Sequence, residues 1–286
     1  MRPARDRLKA PFSRPTRLKA PFSQYRAPLV AVAHGSRDPR SAATVATLAD
    51  VVRLLRPGLD VRVAFLDLSV PRLGDVLAAV DGPAVVVPLL LGEAHHARVD
   101  VPAAVAAATG RHPPLDARTA GVLGPDPRLG GAALRRLAAA GVALDDPGLG
   151  VVLAAAGSSH RPAREAVAAV AAAWARHAPW VGAEAAFAAG TGPTVASAAA
   201  RLRAHGAARI AVASWFLAPG RLPDRVAEAA ASLGAVLADP LGADVEVAQV
   251  VLDRYDAVTT PPSATEFFRI ATTGDGRSYA ATCVYR

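Results

Sequence analysis

The sequence has little cysteine, few aromatic residues and no long apolar run, and each shortage narrows the kind of protein that it encodes. Cys283 is the one cysteine among 286 residues, and aromatic residues make up 5% of the chain. Neither an internal disulfide nor a site of several thiolates is therefore available, which favours a cytoplasmic protein. The apolar stretches, such as residues 84–91, are far shorter than the roughly 18 residues that span a bilayer. The basic N-terminus lacks the apolar segment of a signal peptide, so we expect no membrane partner.

Sequence motifs for several common chemistries are also missing. No G-x-x-x-x-G-K-[ST] loop occurs, which excludes a P-loop ATPase. Residues 157–160, GSSH in one-letter code, lack the G-x-S-x-G spacing of a hydrolase. Residues 190–192 form only an incomplete G-x-G-x-x-G. Serine-hydrolase activity and dinucleotide binding are therefore disfavoured.

The basic excess of the chain is confined to its N-terminal segment. The formal net charge is +8, but residues 1–26 contain eight basic residues and one acidic residue, so seven of these charges lie there. The rest of the chain is nearly neutral, and we expect no nucleic-acid partner. The heptapeptide of residues 7–13 recurs at 17–23. A short basic repeat with prolines predicts a disordered tail over residues 1–27.

Apolar strands alternate with helical patterns from Leu29 onwards. The pattern predicts strands at 29–33, 61–66, 84–91 and 115–123, and helices at 41–56, 71–80, 101–108 and 128–140. Because the strands are almost continuously apolar, they favour a parallel sheet covered by helices on both faces.

The same pattern begins again after a linker at residues 145–148. Strands are predicted at 150–156, 183–189 and 208–216, and helices at 163–177, 194–205 and 223–233. We therefore predict an α/β chain of two tandem, duplicated, flavodoxin-like lobes over residues 28–144 and 149–257. Each lobe has a parallel sheet flanked by helices, and a ligand cleft lies between the lobes. Residues 258–286 lack convincing periodicity and are predicted to form an extension outside the fold.

The loop after the first strand is rich in polar groups. Residues 34–39 read HGSRDP, and ligands of open α/β sheets bind where such strands end. The matching segment of the second lobe, residues 156–162, aligns if one residue is inserted, and it places Ala156 opposite His34. This asymmetry predicts one active site per chain, in the N-terminal lobe.

Three loops at one edge of the first predicted sheet carry residue types that bind metals. His34 follows the first strand, Asp67 ends the second, and His95 and His96 follow the third. Neutral imidazole is the usual nitrogen ligand of iron, cobalt, nickel and zinc. We predict a divalent metal between His34 and His96, with Asp67 as a further ligand. His95 is expected to point away, because neighbours on an extended segment face opposite sides. A structural role in its loop remains the alternative for each histidine.

Two further segments carry alternatives that the residues alone leave open. Ser36 and Arg37 either bind an anion beside the N-terminus of the following helix or form its initiating turn with Asp38 and Pro39. Arg98 either recognises a carboxylate or forms a loop ion pair with Asp100.

Together these loops resemble the sirohydrochlorin chelatases, which are class II tetrapyrrole metal chelatases, in their two-domain form. The resemblance spans about residues 28–256 and rests on the segments 34–39, 65–67, 87–91 and 96–102, with 216–224 typical of two-domain members. It implies two chelatase-like lobes and the insertion of Fe²⁺, for sirohaem, or Co²⁺, for cobalamin, into sirohydrochlorin without ATP. It assigns the two catalytic histidines to His34 and His96, and the acidic residue, usually glutamate, to Asp67.

The resemblance further implies a lyase, either a ferrochelatase or a cobaltochelatase. The metal is then a substrate, and no cofactor is permanently bound. Imidazole suits the removal of two pyrrole protons, since its ordinary pKa is about 6.5. Ser36, Arg37 and Arg98 are assigned to the carboxylates of sirohydrochlorin, and a monomer is expected because both lobes lie in one chain. The alternative is a non-catalytic carrier of a tetrapyrrole or metal that uses the same cleft.

Overall fold

Two parallel four-stranded sheets form the frame of the computed structural model, which describes residues 27–93 and 96–260. The first sheet has the order β2-β1-β3-β4, with β1 (Leu29–Ala33), β2 (Val61–Phe65), β3 (Gly82–Pro88) and β4 (Leu115–Thr119). The second has the order β6-β5-β7-β8, with β5 (Leu149–Ala155), β6 (Gly182–Phe187), β7 (Arg209–Trp215) and β8 (Val236–Leu237). The predicted fold class, two duplicated α/β lobes with parallel sheets, is confirmed.

Helices connect the strands and cover both faces of each sheet. They are α1 (Pro39–Leu55), α2 (Leu73–Ala78), α3 (Val101–Arg111), α4 (Pro127–Ala139), α5 (Arg161–His177), α6 (Val195–Ala204), α7 (Arg221–Ser232) and α8 (Val245–Thr259). Several begin where the sequence supplies a capping side chain, as Asp38, Asp126 and Asp244 do. Such a cap typically stabilises a helix by about 1 kcal/mol. None of the helices in the described ranges is both long and apolar enough to cross a membrane.

Some predicted elements differ from those observed. Strands β3 and β4 end at Pro88 and Thr119, three and four residues earlier than predicted. The short edge strand β8 and the helix α8 were not predicted. Residues 1–26, which include the basic repeat, His95 and residues 261–286 lie outside the described residues.

Two predicted boundaries are wrong. Ala27, assigned to the disordered tail, is buried and its carbonyl accepts from the Tyr255 hydroxyl at 2.7 Å. Val258 and Thr259, assigned to the C-terminal extension, belong to α8.

From the first strand of each lobe to the loop after its second strand, the two lobes repeat one backbone arrangement without any insertion. The Asp67 amide donates to the His34 carbonyl at 2.8 Å, and the Ala189 amide donates to the Ala156 carbonyl at 3.0 Å. Helices α1 and α5 begin at residues 39 and 161. All three correspondences have the same offset, 122 residues. The prediction of one inserted residue is therefore wrong. Pro39 is the first residue of α1, whereas Pro162 is the second residue of α5, so the two prolines are not equivalent positions.

The alternation of side chains along the strands places one core between the sheets and one outside each sheet. In β1, Leu29 and Ala31 face the central core, whereas Val30 and Val32 face an outer core with α2 and α3. The outer core of the second sheet includes residues of α6 and α7. The central core joins both sheets and contains apolar residues of α1, α4, α5 and α8. Burial of these aliphatic side chains, at roughly 25 cal/mol per Å², therefore stabilises both lobes together.

Each half of the chain contributes a helix to the other half's sheet. Helix α4 packs against β7, and helix α8 packs against β3 and α1. Polar contacts follow the same exchange: Arg254 of α8 donates to the Val122 carbonyl at 2.8 Å, and Arg136 of α4 donates to the Leu241 carbonyl at 2.9 Å. The linker at 145–148 therefore separates two sheets that share their covering helices.

Candidate functional site

A glycine turn holds the loop after β1 against the loop after β2. Gly35 has a φ of +95°, and a Cβ at this position would lie 1.6 Å from the Asp67 carbonyl oxygen. The Ser36 amide also donates to Ser69 Oγ at 3.0 Å, and Ser69 Oγ donates to the Ser36 carbonyl at 2.9 Å. Because only glycine permits this approach, the sequence fixes His34 and Asp67 on adjacent loops at the carboxyl edge of the sheet.

Arg72 is the main electrostatic partner of Asp67. His34 is half-buried, and its Nδ1 lies 3.1 Å from the Gly35 carbonyl. The Arg72 guanidinium donates to the Asp67 carboxylate at 2.6 Å and lowers the pKa of that carboxyl, with smaller contributions from the Leu68 amide and from His34. Asp67 is thus an anion at neutral pH that already has one cationic neighbour. Metal binding by Asp67 remains a prediction.

The loop backbone beside Asp67 is strained. Leu68 has a φ of +61°, in the left-handed region, which costs a side-chain-bearing residue about 1–2 kcal/mol. Its side chain is 42% exposed. Strained residues of this kind cluster at binding and catalytic sites.

Ser36 belongs to the turn that starts α1. Its Oγ accepts from the Asp38 amide at 3.0 Å, and the Asp38 carboxylate accepts from the Arg40 amide at 2.9 Å. Of the two alternatives for this loop, the structure shows the helix-initiating turn. Arg37 is exposed next to it. Binding of substrate carboxylates by Ser36 and Arg37 remains a prediction.

The loop after β3 leads into a helical segment. His96 begins a π-helical turn, His96–Asp100, which leads directly into α3. The expectation of an extended backbone at the histidine pair is therefore wrong for His96. Only the backbone of His96 is described, so its pairing with His34 remains a prediction. Among the described side chains, no group of three histidine, cysteine, aspartate or glutamate residues is arranged to hold a metal.

Two polar contacts join the lobes across the cleft. Arg98 Nη1 donates to His160 Nε2 at 2.9 Å, and Arg40 Nη2 donates to Asp224 Oδ2 at 2.7 Å. His160 is the N-cap residue of α5, the position that Asp38 occupies in α1. His160 was not predicted as a site residue, because the alignment with one inserted residue paired it with a different position of the first lobe.

A cavity of about 190 Å³ lies between the lobes, at the carboxyl ends of β3 and β5. The first lobe contributes Leu91, Gly92 and Ala97 to its wall. The second lobe contributes Ala156, Ser158, Arg164, Phe187 and Trp215 among others. The cleft expected between the lobes is thus present, and Arg164 is a charged wall residue that the sequence pattern did not single out.

The CbiX family model matches residues 28–140 and 150–258, which include most of both lobes. The chain belongs to the CbiX family. The resemblance on which the sequence prediction rested is thereby confirmed. A comparison with curated protein sequences finds no match.

Solved structures similar to this CbiX-family chain have the same two-lobed fold. SirB from Bacillus subtilis with Fe³⁺ has a TM-score of 0.70 at 22% identity, over 82% of this chain and 96% of that one. The sirohydrochlorin chelatase SirB from Bacillus subtilis subspecies spizizenii, in complex with cobalt, has a TM-score of 0.65 at 21% identity, over 82% and 96%. A CbiX described as the terminal enzyme of siroheme biosynthesis in denitrifying bacteria has a TM-score of 0.60 at 24% identity, over 80% and 98%.

This CbiX-family chain has the same glycine turn and backbone hydrogen bond in both lobes, but it has the predicted metal ligands in only one lobe. Gly157 repeats Gly35, with a φ of +92° and a Cβ position 1.9 Å from the Ala189 carbonyl oxygen. Ala156 and Ala189 stand at the positions of His34 and Asp67. The duplication therefore preserves the backbone, while the imidazole and carboxylate occur in the first lobe alone.

Proposed function

We propose that this protein is a sirohydrochlorin chelatase, a lyase that inserts a divalent metal ion into sirohydrochlorin without ATP. The observation that carries the proposal is the Gly35 turn, which sets His34 against the anionic Asp67 loop in one lobe of a CbiX-family fold. The similar SirB structures, one with Fe³⁺ and one with cobalt, support metal as the substrate. Sirohydrochlorin is accordingly the proposed tetrapyrrole substrate.

In the proposed mechanism, His34, His96 and Asp67 hold the incoming ion on one side only. An open site of this kind releases its metal more readily than a closed tetrahedral site. Exchange of one divalent cation for two pyrrole protons conserves charge, and the two displaced protons need an acceptor. The imidazoles of His34 and His96 are the proposed proton acceptors, and the Asp67 carboxylate balances the charge of the arriving cation.

The substrate carboxylates are assigned to Ser36, Arg37 and Arg98. A guanidinium has five N–H donors, so Arg98 retains donors for a carboxylate while one binds His160. Iron and cobalt accept similar ligands, and both are proposed as metal substrates, for sirohaem and for cobalamin respectively. We also propose a monomeric, cytoplasmic protein without a resident cofactor.

A turnover assay distinguishes an enzyme from a non-catalytic carrier of tetrapyrrole or metal. Purified protein is mixed anaerobically with an excess of sirohydrochlorin and either Fe²⁺ or Co²⁺, and metal insertion is followed by visible absorbance. The proposal predicts many insertions per protein molecule, at a rate well above that in buffer. A non-catalytic carrier predicts stoichiometric binding of tetrapyrrole or metal with insertion no faster than in buffer, and that result would exclude the enzyme.

A further inference from the structure

Arg164 places a positive charge in the wall of the cavity between the lobes. It lies in the first turn of α5, and its half-buried guanidinium donates to the Ser158 carbonyl. No carboxylate of the described chain lies within ion-pair distance of it. Its helix neighbour Arg161 differs, because that residue is exposed and pairs with Glu165 at 2.6 Å. Arg164 thus retains donors for an anion that enters the cavity.

The rest of the cavity wall is mainly apolar. Phe187 and Trp215 contribute aromatic surface from the second lobe, and Leu90 and Leu91 contribute aliphatic surface from the first. Binding sites for whole drug-sized ligands occupy about 300–1,000 Å³, so a cavity of about 190 Å³ suits a smaller fragment. Apolar walls with one guanidinium match a flat ring that carries a short carboxylate arm.

The alanine that replaces histidine in the second lobe contributes to this space. Ala156 lines the cavity and stands where the first lobe has His34. Because the two backbones are equivalent, a histidine at position 156 would project its ring into the space beside Arg164. On the opposite side, Ala97 lines the same cavity directly after His96. The cavity therefore adjoins the proposed metal-binding loop.

We propose that Arg164 and this cavity bind one carboxylate-bearing pyrrole ring of the tetrapyrrole. The lobe without metal ligands then orients the macrocycle while the first lobe presents the metal. The identity of the ligand rests on the proposed function. The role inferred for Arg164 is to make binding specific for a substrate that carries carboxylates.

The test compares Arg164→Gln with Arg161→Gln, a control that removes a charge from the same helical turn outside the cavity. Equilibrium binding of metal-free sirohydrochlorin is measured by ultrafiltration, and kcat and KM for metal insertion are measured separately. A lost charge-assisted hydrogen bond weakens binding by about tenfold to a hundredfold. Arg164→Gln should raise Kd and KM by that factor with little change in kcat, and Arg161→Gln should change neither.

Two more variants keep the test independent of folding defects. Arg164→Lys preserves the charge and should retain part of the affinity. Ala156→His fills the cavity on a backbone that accepts histidine in the other lobe, and it should raise KM at least as much as Arg164→Gln.

The outcomes separate this inference from the proposed function. If the natural protein turns over and Arg164→Gln retains its Kd and KM, the subsite is refuted and the chelatase stands. If binding depends on Arg164 but no insertion occurs, the subsite stands and the chelatase is refuted. Absence of both binding and turnover in the natural protein would refute both.

Discussion

Replacement of Gly35 by alanine separates the stability of the fold from the geometry of the proposed metal site. The new Cβ would lie 1.6 Å from the Asp67 carbonyl oxygen, 2.8 Å from its carbon and 3.3 Å from the Ser69 amide nitrogen. These are backbone atoms, which cannot rotate away as a side chain can, so the loop after β2 must move. The positive φ adds about 1–2 kcal/mol, and a forced backbone shift adds about 1–3 kcal/mol. We expect a loss of about 2–5 kcal/mol in the free energy of unfolding, out of the usual 5–15 kcal/mol.

Two other glycines provide matched controls. Gly157 has a φ of +92° and the same conflict, with its Cβ position 1.9 Å from the Ala189 carbonyl oxygen. Gly157→Ala should therefore destabilise the chain about as much as Gly35→Ala. Gly82 has a φ of +99° but no atom within 4 Å of its Cβ position. Gly82→Ala should lower the free energy of unfolding only by the cost of the positive φ, about 1–2 kcal/mol.

Urea unfolding and Co²⁺ binding without tetrapyrrole complete the comparison. Under conditions where every variant is folded, Gly35→Ala should weaken Co²⁺ binding about tenfold or more, because displaced supporting contacts typically cost a metal site that much. Gly157→Ala should leave Co²⁺ affinity unchanged, since its lobe lacks the imidazole and the carboxylate. Two results would contradict this prediction: a loss of stability in Gly35→Ala no greater than in Gly82→Ala, or an equal loss of Co²⁺ affinity in Gly35→Ala and Gly157→Ala.

Three further predictions concern contacts within and between the lobes. His160→Ala removes the acceptor for Arg98 and should lower the initial rate of metal insertion about two- to tenfold, whereas His160→Asp, which restores an acceptor, should recover it. Asp126→Ala should lower the free energy of unfolding by about 1–3 kcal/mol at pH 7. Because Arg128 lowers the pKa of Asp126, this stabilisation is present above the unfolded-state pKa of about 3.9 and is lost as the pH falls through the lower folded-state value. Two halves of the chain divided after Asp145 should each remain unfolded by circular dichroism and fold when mixed, because α4 and α8 are exchanged.

Each of these predictions has an outcome that contradicts it. Equal rates for His160→Ala and the natural protein would show that the contact with Arg98 plays no part in catalysis. If the difference in the free energy of unfolding between the natural protein and Asp126→Ala grows as the pH falls, the expected pH dependence is wrong. A native-like spectrum for either isolated half would show that the exchanged helix is dispensable to it.

The sequence pattern identified the inner strands because burial on both faces leaves an apolar run, although it placed the end of β3 three residues too late. Strands β1, β3, β5 and β7 all carry this signal, and their β-α alternation implied parallel pairing. The exchange of α4 and α8 could not be predicted, because an amphipathic pattern shows that one helix face is buried but not which sheet covers it. The edge strand β8 has only two residues, too few for any periodicity.

The residues of the candidate site that directly follow strands could be predicted from the sequence. His34 and Asp67 follow adjacent strands, and parallel strands bring such loops together. The π-helical turn at His96 had no recognised signal in the sequence. Arg164 and His160 were missed for different reasons: the first lies in a helix pattern like any exposed arginine, and the second was displaced by one position when Pro39 was aligned with Pro162.

The most direct measurement is the rate of Co²⁺ insertion into sirohydrochlorin by the natural protein, by His34→Ala and by His177→Ala. His177 ends α5 and is exposed, outside the wall of the cavity, so its variant controls for the loss of an imidazole elsewhere. We predict that the natural protein and His177→Ala share one rate, well above that in buffer, and that His34→Ala falls close to the buffer rate. Full activity of His34→Ala, or a natural protein no faster than buffer, would contradict a chelatase whose metal is held by His34.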